Sequence, residues 1–140
     1  MGFKLEIVTP ERAFFSDEVD MVILRGIDGD LAILKNRAPI ITPLSIGKIR
    51  IKKDGKERVA SVSEGYVSVT KEKTTVITDS AEWPEEIDVE RAKRAKERAE
   101  KRLSQREGVD ILRAEASLRR AINRLEVANL IKNNNENINQ

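Results

Sequence analysis

The chain changes character once, at Trp83-Pro84, and that break constrains its fold more than any other feature. Upstream, apolar and polar residues alternate in short runs punctuated by Gly and Pro. Downstream, Glu85-Glu86-Ile87-Asp88-Val89-Glu90-Arg91-Ala92 opens a stretch rich in Ala and Arg with helical spacing. Strands followed by helices, without interleaving, make segregated layers or separate domains. The sequence therefore predicts an α+β chain in two parts. An N-terminal antiparallel β-sandwich occupies residues 1–84 and an antiparallel two-helix hairpin residues 85–132. The Asn-rich run 133–140 has no apolar face to bury and is expected to be disordered. The first part is just large enough to bury its own core, whereas a lone hairpin is marginal by size scaling.

Leu5-Glu6-Ile7-Val8-Thr9-Pro10 reads as an opening strand stopped by Pro, and Val19 to Arg25 as a second. Gly26-Ile27-Asp28-Gly29-Asp30 is turn chemistry, followed by a short strand, Leu31 to Leu34. Ala38-Pro39-Ile40-Ile41-Thr42-Pro43-Leu44 holds two prolines, which assigns it to an edge or a bulge. Gly47 to Lys52 alternates with period two, Asp54-Gly55 signals a type I′ hairpin turn, and Arg58 to Val62 returns. Gly65 to Val69 and Thr74 to Thr78 complete the set. Short strands at this spacing indicate a sandwich or flattened barrel.

In the second part Asp88 is a good N-cap. Ala92, Ala95, Ala99 and Leu103 form one apolar stripe. The first helix is expected to end near Arg106-Glu107-Gly108, with Gly108 left-handed, and Asp110 to cap the second. Ile111, Ala114, Leu118, Ala121, Leu125 and Ala128 follow a heptad seam. The many alanines let the two axes approach closely.

Composition removes whole classes of chemistry. With neither Cys nor His there are no disulfides, thiol nucleophiles, His-based triads or Cys/His zinc sites. Lys+Arg is 26 and Asp+Glu 24, a net charge of +2, which gives no electrostatic case for nucleic acid. No apolar run reaches the length of a membrane span, and the N-terminus lacks a signal-peptide core. No Gly-rich phosphate loop, calcium loop or nucleophile with its base is present, so neither a catalytic residue nor a metal site is assigned.

One constellation stands out. Asp88 and Arg91 share the first turn of a helix, Arg98 lies two turns further along, and Arg120 and Arg124 share a face of the second helix. In a closed antiparallel hairpin the four arginines converge, and an anion between them relieves their repulsion. A triphosphate suits guanidinium forks. Asp88 would serve an adenine amino group or orient an arginine. The alternative is a solvated charged face on an Ala-rich helix.

Val8-Thr9-Pro10-Glu11, Gly29-Asp30-Leu31-Ala32-Ile33-Leu34, Ala38 to Leu44 with Gly47, Glu64-Gly65-Tyr66-Val67, Ile87-Asp88-Val89-Glu90-Arg91-Ala92 and Arg119-Arg120-Ala121-Ile122-Asn123-Arg124-Leu125 stand in the order of one family. Over essentially Phe3 to Lys132 the chain resembles the epsilon subunit of bacterial F-type ATP synthases of the ATP-binding kind. It departs at Ala32, where the family usually has Gly, and at Lys35 and Arg37, where Pro and His are usual. The resemblance implies a non-catalytic central-stalk subunit of a rotary motor that couples ion translocation to ATP synthesis. Its partners would be the gamma subunit, the ring of c subunits, and the alpha and beta subunits. It would lie on the cytoplasmic face of the cell membrane, bound only through the complex. The hairpin would inhibit ATP hydrolysis when extended and be held down by ATP, with or without Mg²⁺, as a regulatory ligand. The implied ATP-binding residues are Glu82, Ile87, Asp88, Arg91, Ala92, Arg98, Arg120 and Arg124. The alternative is a β-sandwich and coiled-coil adaptor with no nucleotide role.

Overall fold

The computed structural model describes the backbone at residues 2–105, 108 and 110–138, and side chains among these as far as residue 131. The chain divides into two compact units, Met1–Ala81 and Glu82–Gln140. The division falls just before Trp83-Pro84, where the sequence changes period.

The first unit is built of short strands. They are β1 (Phe3–Val8), β2 (Ala13–Val19), β3 (Met21–Gly26), β4 (Gly29–Leu34), β5 (Ile40–Leu44), β6 (Gly47–Lys53), β7 (Lys56–Val62), β8 (Gly65–Val69) and β9 (Thr74–Thr78), with the two-residue β10 (Ala81–Glu82) at the boundary. Their order is β10-β7-β6-β3-β5-β8-β9-β1-β2, with β4 paired to β3. Among the described pairings the strands run antiparallel except that β1 is parallel to β9, from Leu5↔Thr74 to Val8↔Ile77. The strand β2 was not expected from the sequence. Its apolar ends, Phe14 and Val19, are buried, but Ser16-Asp17-Glu18 between them breaks the alternation.

Pleating sorts neighbouring rows to opposite faces. Thr42, Val67, Val76 and Ile7 are register partners across β5, β8, β9 and β1, and the last three are fully shielded. One residue along, Pro43, Tyr66, Ile77 and Val8 form the next row, with Tyr66 58% and Ile77 53% exposed. Leu5, Val22, Leu24, Ile49 and Ala60 complete the innermost core.

Of the two prolines, Pro39 precedes β5 and Pro43 lies in it, and the strand sits inside the strand order, not at its edge. Prolines are tolerated because β5 pairs with β8 along its length but with β3 only at Gly26↔Leu44, so one side of its backbone forms almost no ladder. The β6–β7 turn is as expected: Asp54 and Gly55 take φ of 52° and 76°, the left-handed pair of a type I′ turn.

Lys53 Nζ lies 2.7 Å from Asp17 Oδ2, tying β6 to β2. That bond first, then the Glu18 backbone N–H, holds the Asp17 carboxyl below its ordinary range, and the same bond raises the Lys53 ammonium. A depressed carboxyl contributes stability above its unfolded pKa, and the contribution is lost as pH falls through the folded value. A carbon-detected titration of Asp17 should therefore show a midpoint below the usual aspartate value. The midpoint should rise towards that value in Lys53→Ala, which keeps the Glu18 N–H contact; an ordinary midpoint in the unmodified chain would refute the bridge in solution.

The second unit opens with a 3₁₀ turn, Pro84–Glu86, followed by α1 (Val89–Gln105) and α2 (Ile111–Ile138). The turn has Pro at its first position, and Glu86 Oε1 accepts from the Trp83 backbone N–H at 2.9 Å. Asp88 and Asp110 cap the helices as expected. Their Oδ1 atoms accept from the backbone N–H of Arg91 at 3.0 Å and of Arg113 at 3.1 Å. Such a cap is worth about 1 kcal/mol. Gly108 is left-handed at φ 67°, while Arg106 and Glu107 lie outside the described residues.

The helices pack on each other through alanine. Ala92 and Ala99 of α1 and Ala114 and Ala121 of α2 are buried. On α2 the shielded face reaches beyond the heptad to Asn123 and Val127, whereas Ile111, where the heptad begins, is 43% exposed. The 3₁₀ turn packs against α2, so this helix has two neighbours within its unit. The helix also continues to Ile138, past the expected boundary at 132. Backbone hydrogen bonds propagate a helix one residue at a time without an apolar face. Asn139 and Gln140 lie outside the described residues.

Candidate functional site

The sequence-nominated residues fall on three local elements. Glu82 ends β10, and Ile87 and Asp88 link the 3₁₀ turn to α1. Arg91, Ala92 and Arg98 lie on α1, and Arg120 and Arg124 one turn apart on α2. Ile87 and Ala92 are buried and act through packing. Asp88 is exposed, with one carboxylate oxygen engaged in the cap.

Glu82 and Arg124 meet directly. Arg124 Nη2 donates to Glu82 Oε2 at 3.0 Å, and Nε lies 2.7 Å from Oε1. The Nε contact is ionic: its N–H is off line and forms no directed hydrogen bond. The side chains are only 24% and 26% exposed, so water screens this pair less than the surface pairs of the sandwich. Guanidinium has two forked edges; the carboxylate takes the Nε/Nη2 edge, leaving the outer edge directed elsewhere.

Arg120 is half-buried beside Arg124, while Arg91 and Arg98 are exposed on α1. Arg98 lines a surface depression with Arg94, Glu97 and Lys101, apart from the other nominated residues. Sequence spacing did not reveal the Glu82–Arg124 pairing, because its partners are 42 positions apart. It also missed the Glu86 carboxylate that accepts from the Trp83 backbone N–H, for which Pro84 and a Glu two residues later were the available signal. Among the described residues no group of three or more acidic side chains is arranged to hold a metal ion.

Two family models cover the sandwich and most of the helical unit. The ATP synthase delta/epsilon chain β-sandwich domain matches residues 2–84, and the long alpha-helix domain of the same chain matches residues 85–129. The chain belongs to the ATP synthase delta/epsilon family. Its break at Trp83-Pro84 is the join between the two family domains. The ATP synthase epsilon chain of Alkaliphilus oremlandii is 61% identical over 106 residues, covering 76% of this chain and 79% of the relative. That of Caldicellulosiruptor bescii is 53% identical over 127 residues, covering 90% and 93%.

Solved structures share the fold at low identity. A chain of the Euglena gracilis mitochondrial ATP synthase OSCP/F1/c-ring assembly superposes with a TM-score of 0.73 at 20% identity, over 92% of this chain and 81% of that one. A chain of the Tetrahymena thermophila mitochondrial ATP synthase central stalk and c-ring gives 0.57 at 12% identity, over 94% and 96%.

Proposed function

We propose that the chain is the regulatory, non-catalytic epsilon subunit of a bacterial F-type ATP synthase central stalk, and that its helical unit senses ATP and restrains ATP hydrolysis. The observation that carries this reading is Arg124. Its guanidinium already engages one oxyanion side-on in a partly shielded setting, beside the half-buried Arg120 and in a unit that opens with Ile87-Asp88 and Arg91-Ala92. The chemistry of these donors suits a polyphosphate: Arg91, Arg120 and Arg124 supply forks, Arg98 would have to reach in from its own depression, and Asp88 keeps an acceptor for an adenine amino group. Any Mg²⁺ would arrive on the phosphates, since the nominated carboxylates, Glu82 and Asp88, are each already engaged.

The row of exposed Pro43, Tyr66 and Ile77 with half-buried Val8, extended by Ile41 at 75% exposure, supports docking on the gamma subunit. The remaining partners of this reading are the c-ring and the alpha and beta subunits, with the chain peripheral on the cytoplasmic side of the membrane. No helix among the described residues is long and apolar enough to cross one.

The test is an ATP synthase reconstituted with the full chain or with a chain ending at Pro84. The sandwich owns its strands and core, so the shortened chain should still assemble. Hydrolysis at low ATP should then rise several-fold and lose its dependence on ATP pre-incubation. A shortened chain that restrains hydrolysis as well as the full one, or that fails to assemble, would overturn the proposal.

A further inference from the structure

We infer that the Glu82–Arg124 pair is a clasp that holds the segment leading into α1 against α2 and sets how often the helical unit opens. This inference does not rest on nucleotide binding; it follows from how the unit is held together.

The α1–α2 seam is thin. Its buried positions Ala92, Ala99, Ala114 and Ala121 each carry a single methyl group, and small side chains withdraw little apolar surface from water. The leading segment adds Ile87, which is 8% exposed, and the packing of the 3₁₀ turn on α2. Across this junction the Glu82–Arg124 pair joins the first residue of the unit to the second helix, 42 positions away.

Three features suit it to holding. One directed hydrogen bond at 3.0 Å sets the register, and the ionic Nε contact at 2.7 Å adds charge attraction beside it. Both side chains are about three-quarters shielded, which limits screening. Their elements carry their own local supports, the Glu86 carboxylate on the Trp83 N–H on one side and the body of α2 on the other. Separation of α2 from the leading segment must therefore break both contacts together while each element stays folded. The Glu90–Lys93 pair spans one turn of α1 at 3.7 Å, is well exposed, and joins no two elements.

Amide hydrogen exchange of the full chain without nucleotide tests the clasp. Glu82→Gln and Arg124→Gln should each speed exchange of α2 amides around residues 120–130 by roughly five- to tenfold, less than a fully shielded charge-assisted bond would give because the pair stays partly exposed. The double variant should be no faster than either single one, because both remove the same interaction. The swapped chain, Glu82→Arg with Arg124→Glu, should recover part of the protection. Glu90→Gln is the control and should exchange like the unmodified chain. Exchange within twofold of the unmodified chain in Glu82→Gln, or effects that multiply in the double variant, would overturn the clasp. The nucleotide proposal would stand unaffected, since no nucleotide is present.

Discussion

Replacing Gly65 with alanine is expected to lower the thermal midpoint of the sandwich by on the order of 15 °C, at about 4–8 °C per kcal/mol for a unit of this size. Gly65 opens β8, which pairs with both β5 and β9. A Cβ there would stand 1.9 Å from the Ile77 carbonyl oxygen, 2.8 Å from Thr78 Cα and 2.9 Å from the Ile77 carbonyl carbon. All three are backbone atoms of the neighbouring strand, so no side chain can swing aside. Relief requires β8 and β9 to part where Gly65 faces Thr78, next to fully buried Val67 and Val76. Overpacking of this kind costs about 3 kcal/mol. Calorimetric melting checks it; a shift below about 3 °C would show that the strands separate at little cost.

Arg91→Ala should weaken ATP binding roughly ten- to hundredfold, the loss of one charge-assisted phosphate contact of about 1.5–3 kcal/mol. This position separates ligand contact from folding cleanly. The Arg91 backbone N–H serves the Asp88 cap and is retained in alanine, and its side chain is exposed, so the helix loses little. Arg124→Ala should weaken binding comparably, but it also breaks the pair with Glu82. Asp88→Ala removes a cap worth about 1 kcal/mol, so helicity without nucleotide must be measured beside affinity. Arg94→Ala is the control, three positions from Arg91 on the same helix. If it weakens binding as much as Arg91→Ala, the attraction is diffuse charge and there is no defined site.

Local signals explain what could be read in advance. Asp54-Gly55 needed only turn chemistry, Asp88 and Asp110 only a capping side chain, and Gly108 only freedom at positive φ. The alternation of Ile49 and Ile51 put both in the core because β6 has one buried face. Features that depend on remote partners were not legible. The parallel β1–β9 pairing joins residues about seventy positions apart and leaves no mark on either strand. The place of β5 inside the sheet depended on how few bonds β3 asks of it. Val127 falls off the heptad because it lies on a different side of α2 from Ala114 and Ala121, a helix to which the 3₁₀ turn adds a second neighbour. In the candidate site the arginines were visible as a pattern, while the carboxylate that holds one of them stood in another element.

Titration calorimetry of the full chain with ATP tests the proposed function most directly. Saturable one-to-one binding is expected, weakened by Arg91→Ala and Arg124→Ala and unchanged by Arg94→Ala. An absence of saturable heat at millimolar ATP, or equal affinity in all four chains, would contradict ATP sensing by the helical unit.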